Sequence, residues 1–540
     1  MRTWRMIIKP KKNVALCHYF QTNTADAKCM YNTANFYIRN TMTGLKKSPE
    51  ERTHLETEVL HNVFTGIQKA NEYLGQKNMT KQFKHLKLAQ VGGMNSAVIA
   101  YSIVCQEPFH YPTAETWFLS YHTLDAIFKF TDNPVYKRMN SQVNQNVIRK
   151  VIAAWKGYFE TLKKYKENPA GYTGKPRMPG YKKDKEATVW FSSQTAKLKE
   201  ENGICYLQFV NFKEKLRIGK SSLFAGSKYI KTEIKPMFGQ YCLMVTFDDR
   251  MQEIPVPEHP NRILGLDPGV NNFLGAANNF GAVPFVIKGG ALKSVNQRFN
   301  KKRSVLLSAL TKGNNSTDSI KHSKQLHVLS RKRESFLRDY FYKCAWYICR
   351  YAAAADVDVI VMGHNEGQKQ EVNLGDAGNQ NFVSIPYTKF ITALRAVAAK
   401  CGIAVVVREE SYTSKASLMD MDDIPVYKQD ENTNYHFSGK RTHRGLYKPK
   451  DGTVINADIN GAANILRKEY AYAFDEVKDF TYLYKTTLAI GYKDLYRNAK
   501  TMTSRPKKYC FHKTGFGSGV RHEYRKWNRL EYREVFGDIA

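Results

Sequence analysis

The chain has 540 residues, which at about 150 residues per domain excludes one small module and points to three or four domains. Lysine and arginine total 83 against 49 aspartates and glutamates, and the resulting +34 exceeds what solubility requires and points to a large polyanion as partner. With 42% hydrophobic and 13% aromatic residues the chain can build real cores, which excludes wholesale disorder. Its 9 cysteines form no C-x-x-C pair, a usage that fits free thiols in a reducing compartment better than a disulfide framework or a zinc ribbon. The start lacks the apolar core of a secretion signal, and no stretch approaches the roughly 18 apolar residues of a membrane span. The expectation is a cytoplasmic, nucleoid-associated protein with no membrane partner.

In chain order, Thr3 to Ile8 reads as a short strand, and about Asp26 to Lys166 is mostly helical in period. The clearest helix starts at a Ser141 cap and repeats Val143, Val147, Val151, Trp155 and Phe159 at steps of four, a core-packing face. Arg149 and Lys150 lie on its other faces, where they can meet phosphate. A basic, turn-rich joint follows, in which Pro169, Gly171, Gly174, Pro176, Pro179 and Gly180 interleave with Lys175, Arg177, Lys182 and Lys183. The period then changes to two over Ile204–Val210, Lys215–Ile218, Ile230–Lys235 and Tyr241–Phe247, which predicts a small antiparallel barrel. Pro255, Pro257 and Pro260 mark a linker.

From Arg262 the pattern is α/β. Arg262 to Asp267 is a buried strand, and Gly275 to Ile287 can supply its antiparallel partners. Val357–Met362 and Ile403–Val407 flank a helix over about 386–401, which implies a parallel crossover. Between the first and later strands lies a basic helical insertion over about 291–350, with Arg298, Lys301, Lys302, Arg303, Lys312, Lys321, Lys324, Arg331, Lys332 and Arg333 against Asp318 and Glu334.

Two acids stand out. Asp267 ends an apolar strand and is followed by Pro268-Gly269-Val270-Asn271-Asn272, a turn that presents the carboxylate at its tip or is capped by it. Asp458 lies in Ile455-Asn-Ala-Asp-Ile-Asn-Gly-Ala-Ala-Asn-Ile-Leu, where it can cap a helix whose small residues permit close packing on a sheet. Two such acids on one α/β scaffold are the minimum for a divalent-metal phosphodiesterase, because Mg²⁺ prefers oxygen and uses one or two carboxylates with phosphate and water.

Gly265-Leu-Asp-Pro-Gly-Val, Asp356-Val-Asp-Val-Ile-Val-Met-Gly-His-Asn, Ser411-Tyr-Thr-Ser-Lys and Asn456-Ala-Asp-Ile-Asn-Gly-Ala-Ala-Asn-Ile resemble, in order, the split RuvC motifs of the TnpB family of RNA-guided nucleases and the compact type V CRISPR effectors. The resemblance implies a multidomain α+β protein. Its parts would be the first wedge strand (1–25), a helical recognition domain (26–168), the wedge β-barrel (169–260) and a ribonuclease H-like RuvC nuclease (261–410). A target-nucleic-acid-binding insertion (411–455), the last RuvC motif (456–470) and a basic extension (471–540) would follow.

This chain departs from the family pattern twice. Where the second motif usually ends in glutamate it has Gly363 and then His364, and glycine offers a metal no ligand. The next parallel strand ends in Glu409 and Glu410, and neighbouring parallel strands open on the same rim. Some members of the wider family look rearranged in this way, which puts the third acid at Glu410, with Glu409 on the opposite face and Glu409, His364, Glu366 or Glu371 as alternatives. The expected centre is therefore Asp267, Glu410 and Asp458 holding two Mg²⁺ ions, or Mn²⁺. The second departure is that residues 416–457 contain no cysteine, so no structural zinc is expected. Lys428, Lys440, Arg441, Arg444, Lys448 and Lys450 keep that insertion basic, and Lys415 precedes it.

The implied partners are a guide RNA, from a transposon end or a CRISPR array, and double-stranded target DNA, bound by a monomer. A guide-bearing nuclease holds its duplexes through backbone contacts over several domains, which suits the spread of charge. Two other classes remain: a nuclease-inactive RNA-guided repressor, and a transposition accessory that binds without a guide.

Overall fold

The structure, a computed structural model, describes residues 2–10, 13–92, 106–248, 254–312, 323–365, 385–426, 435–443 and 445–495. It divides into two units, Met1–Met251 and Gln252–Ala540. Among the described residues no helix is long and apolar enough to cross a membrane.

The first unit opens with β1 (Arg2–Ile8), followed by helices α1 (Val14–Gly44), α2 (His54–Gly92), α3 (Tyr121–Phe130) and α4 (Ser141–Glu167). Six strands follow: β2 (Val189–Ser192), β3 (Ala196–Glu201), β4 (Ile204–Phe209), β5 (Lys215–Lys220), β6 (Lys228–Met237) and β7 (Gln240–Asp248). The strands expected to form one barrel pair as two sheets, ordered β1-β7-β6-β2 and β3-β4-β5. The ladder stops after β5, where Ser221–Phe224 turns as a 3-10 helix. One apolar core nevertheless joins both sheets to the helices.

The α4 helix buries Val143, Val147, Val151 and Trp155, as its period predicts, and the Trp155 indole donates to Asn35 Oδ1 at 2.9 Å. Its cap is Asn140, one residue earlier than expected, whose Oδ1 accepts from the Gln142 amide at 3.0 Å. The basic joint is bolted to α1. Asn32 both donates to the Lys182 carbonyl at 3.1 Å and accepts from the Lys182 amide at 2.7 Å, and Asn35 donates to the Pro179 carbonyl at 3.0 Å.

The second unit is built on a six-stranded sheet. Its elements are β8 (Ile263–Pro268), β9 (Asn272–Asn278), β10 (Phe285–Lys288), α5 (Gly290–Thr311), α6 (Lys324–Ala354), β11 (Val359–Gly363), α7 (Tyr387–Ala398) and β12 (Ala404–Arg408). A hairpin and a short strand follow as β13 (Lys440–His443), β14 (Leu446–Lys448) and β15 (Ile455–Asn456), then α8 (Ala457–Glu469) and finally β16 (Leu488–Ile490). The order is β12-β11-β8-β9-β10-β16. As expected, β11 runs parallel to β12, and β9 and β10 are antiparallel additions; β11 also runs parallel to β8.

Strand alternation divides this sheet between two cores. Leu264, Leu266, Ile360 and Met362 face α6 and α7, whereas Ile263, Val359 and Val361 face α8. The second half of α6, read from sequence as part of an inserted segment, is structural: Leu337, Phe341, Cys344, Ile348 and Cys349 are buried on the sheet.

On the other face α8 lies unusually close. A Cβ placed on Gly265 would overlap the Ala462 carbonyl oxygen, and one on Gly275 would stand 2.5 Å from the Asp458 carbonyl oxygen. These glycines let helix backbone touch strand backbone. Gly265→Ala should therefore destabilise the second unit by about 1–3 kcal/mol, the usual cost of overpacking. Gly157→Ala, in the exposed middle of α4 with no neighbour within 4 Å, should instead stabilise the first unit by about 0.5–1 kcal/mol. Thermal denaturation of the two variants checks the contrast, and a Gly265→Ala protein as stable as the parent would remove the close-crossing constraint.

Candidate active site

The carboxylates are placed by α8 as it crosses the strand ends. Asp458 is its second residue, and Asn456 caps the helix by accepting from the Asp458 amide at 2.9 Å. Asp458 stands over β9, because the Cβ position of Gly275 lies 2.9 Å from Asp458 Cβ. Gly275 pairs with Asp267 across the β8–β9 ladder. One helical turn further on, the Cβ position of Gly461 lies 2.5 Å from Asp267 Oδ2. One turn beyond that, Ile465 meets β11 at Gly363. Positions 458, 461 and 465 share one helix face, so the helix visits β9, β8 and β11 in turn.

Glu410 completes the row. Gly363 is paired with Arg408, the last ladder residue of β12, and two residues on the Glu410 side chain folds back over Gly363. A Cβ at Gly363 would stand 2.6 Å from Glu410 Oε2 and 2.5 Å from Ile465 Cδ1. Glu410 therefore occupies the space that a side chain at 363 would take. Its amide donates to Asn365 Oδ1 at 2.8 Å.

Asp267 feels the other two acids. Although Asp267 keeps part of its surface, burial pushes its carboxyl well above the ordinary range, and the charges of Glu410 and Asp458 push it further, with Arg441 opposing. Burial also raises the Tyr387 phenol, and Glu410, Asp267 and Asp458 add to the effect. The Tyr387 hydroxyl donates to the Gly269 carbonyl, which steadies the turn after Asp267. Asn272 Nδ2 donates to Asp458 Oδ2 at 2.6 Å. The opposite side of α8 holds the chain that follows Glu410. Asn460 and Asn464 both donate to the Ala416 carbonyl, at 2.8 and 2.7 Å, and Asn464 also donates to that of Thr413 at 2.9 Å.

The alternatives fare differently. Glu409 turns away from the row to accept from Lys468 Nζ and, at 2.6 Å, from the Ser411 amide. Burial works to raise its carboxyl, but these bonds outweigh burial and hold it below the ordinary range. The His364 amide donates to the Arg408 carbonyl at 2.8 Å, continuing the parallel ladder. Glu366 and Glu371 lie outside the described residues, as do Lys321, Lys428 and Arg444. Asn272, Asn365, Tyr387 and Lys468 escaped notice as site residues, since amides, a phenol and a helix-end lysine carry no motif of their own.

The donor set is all oxygen and mutually repelling, the chemistry that a hard divalent cation relieves. Among the described residues no group of three or more His, Cys, Asp or Glu is placed to hold a metal ion by itself as the side chains stand. Such carboxylates would fill part of a coordination shell, leaving the rest to water and phosphate oxygens.

The predicted nucleic-acid contacts are spread over both units. In the first, Lys175, Arg177, Lys182 and Lys183 are exposed along the bolted joint. Arg149 is exposed over the Tyr121 ring, whereas Lys150 is turned inward to the Thr188 carbonyl. In the second, Arg298, Lys301, Lys302 and Arg303 are exposed on α5, and Lys332 is exposed on α6 beside the half-buried Arg331. Arg333 packs between those helices, donating to Asn296 Oδ1 at 2.7 Å and stacking over Phe299. Lys415 is exposed, 5.7 Å from the Tyr412 ring centre.

Residues 246–368 match the model of the OrfB_IS605 family, described as a probable transposase, and residues 387–465 match the model described as Cas12f1-like, TNB domain. The resemblance read from the sequence is borne out. The chain is TnpB-like over the first segment, which carries Asp267 and Gly363, and Cas12f-like over the second, which carries Glu410 and Asp458. No curated protein matches it. Among solved structures it is similar to a Cas12f1–sgRNA–target DNA complex, at 16% identity over 75% of this chain and 82% of that one with a TM-score of 0.42. It is also similar to a CRISPR-Cas12f ternary complex (15%, 76% and 81%, 0.27) and to the mini-RNA-guided endonuclease CRISPR-Cas phi3 (11%, 65% and 85%, 0.35).

The crowding of acids has a pH signature. An acid whose pKa is raised on folding weakens stability as pH climbs from its unfolded value, about 4, through its folded value. In chelator-treated buffer Asp267→Asn should therefore melt above the parent at pH 7, and the gain should shrink toward about pH 4. A gain that is flat with pH would mean that neither burial nor the neighbouring acids raise the Asp267 carboxyl on folding.

Proposed function

We propose that this protein is an RNA-guided DNA endonuclease that cleaves target DNA next to a short DNA motif, using one centre made of Asp267, Glu410 and Asp458 with two Mg²⁺ ions, which Mn²⁺ can replace. The observation that carries this reading is the row of three carboxylates across the strand ends beneath α8. A rim acid whose charge is opposed by two acid neighbours is costly to keep unless cations are to be bound there. The two family matches support the same reading, because between them they span all three acids.

In this reading Asp267, at the middle of the row, would hold the ions together with Asp458 on one side and Glu410 on the other. Bound Mg²⁺ activates water and stabilises the leaving oxygen of a phosphodiester. Asn272 orients Asp458, Asn365 holds the Glu410 backbone, and Tyr387 steadies the turn that carries Asp267. With one such centre among the described residues, the two DNA strands reach it in turn. The exposed lysines and arginines of both units take guide RNA and DNA backbones, whose sequence is read by base pairing. That Glu410 fills the space above Gly363 favours a working centre over an inactive repressor, since the missing acid has a replacement.

Protein purified with its guide should cut matched DNA only with Mg²⁺ or Mn²⁺. Asp267→Ala and Asp458→Ala should abolish cutting while leaving guided binding intact, because they remove metal ligands and not phosphate contacts. Glu410→Gln should lower the rate on the order of a thousandfold or more, the cost of several kcal/mol of charge stabilisation. Gel assays of cleavage and filter binding on the same samples decide it. Cutting by Asp267→Ala would sink this mechanism, and random co-purified RNA in place of a discrete species would favour the accessory role.

A further inference from the structure

We propose that Lys468 is a positioning residue: its buried ammonium, held between Glu409 and the Ser411 carbonyl, selects which of two consecutive glutamates faces the acid row. The inference rests on the reading of Glu410 as a metal ligand.

The problem that Lys468 solves is one of register. The β11–β12 ladder ends at the Gly363–Arg408 pair, and β12 is the edge strand, so residues 409–411 lie beyond the last strand pairing. Successive side chains of an extended chain point to opposite faces, and a slip of one residue exchanges the faces. With Glu409 and Glu410 adjacent, such a slip would bring the wrong glutamate to the rim while leaving its charge unchanged. Nothing in the chemistry of the two residues separates them.

Lys468 does separate them. Its side chain is only 3% exposed, it bonds Glu409 Oε2, and it donates to the Ser411 carbonyl at 2.8 Å. Glu409 closes the loop by accepting from the Ser411 amide at 2.6 Å. An ammonium buried to this degree is far from a screened surface ion pair, and it is costly to leave without both acceptors. The clamp therefore grips the residues on either side of Glu410. Glu410 itself is left to the opening at Gly363, with its amide on Asn365. Lys468 lies ten residues after Asp458 on the same helix, about 15 Å at 1.5 Å per residue. The rod that carries one acid thus sets the facing of another.

The test uses RNA-free full-length protein and Mn²⁺ as probe, titrated by calorimetry, alongside the Mg²⁺ dependence of cleavage by the guided protein. Lys468→Met should weaken Mn²⁺ binding and raise the half-maximal Mg²⁺ concentration by about 10-fold or more, as for other residues that orient metal ligands. Guided DNA binding should not change. In a Glu410→Gln background the same substitution should have no further effect on Mn²⁺ binding, because its action passes through Glu410. Should Lys468→Met fail to fold, the pair Glu409→Met with Lys468→Met replaces the buried ion pair by apolar packing and serves in its place. Unchanged Mn²⁺ affinity, or an equal loss with and without Glu410, overturns the proposal. A parent protein that binds Mn²⁺ through this clamp yet never cuts would overturn the nuclease reading and leave the clamp standing.

Discussion

The second unit depends on one backbone contact: α8 crossing the sheet so closely that strand positions 265 and 275 have no room for a Cβ. A helix resting on side chains would sit about 10 Å from the sheet, too far for an acid in its first turn to join acids at the strand ends. Removing the side chains at the crossing brings the helix down. Gly461 then lets the Asp267 carboxylate lie against the helix itself. Packing and chemistry share their residues here, so substitutions at these glycines disturb both.

That geometry creates an electrostatic debt. Neighbouring strands are about 4.8 Å apart, and the helix brings one acid over or beside each of three of them. Asp267, in the middle, has its carboxyl raised first by burial and then further by the charges of Glu410 and Asp458. Arg441, on the basic hairpin, opposes the effect only in part. The remaining positive charge of this +34 chain is spread over exposed positions such as Lys301, Lys302, Lys175 and Arg177. The chain thus sets a local row of acids in its second unit against a large overall excess of positive charge.

How much was legible in the sequence follows from what each feature depends on. The strands at 263–268 and 359–363, the parallel crossover and the α4 core face were readable, because apolar period is set locally. Asp267 and Asp458 could be picked out because turn and cap residues accompany them, although the cap itself is Asn456 and not Asp458. The single barrel was not, since whether one ladder continues past residues 221–224 is decided by pairing between strands, which period alone does not encode. The cap of α4 was misjudged by one residue, because Asn140 and Ser141 are equally good caps and only backbone geometry chooses between them. The polar supports of the site were invisible for the same reason. Asn272 and Asn365 matter through partners 186 and 45 residues away.

The pairing of Gly363 with Glu410 shows how such non-local terms can be read once one of them is known. A glutamate at the end of β12 has to reach sideways across one strand spacing, about 4.8 Å, to stand where a β11 side chain would stand. Glutamate is one methylene longer than aspartate, and it travels through the volume a Cβ at position 363 would fill. The two positions therefore compete for space: a Cβ at 363 would make the ends of both the Glu410 and the Ile465 side chains shift. In the proposed centre, glycine at the end of β11 is then the opening through which the Glu410 carboxylate from beyond the neighbouring strand reaches the rim.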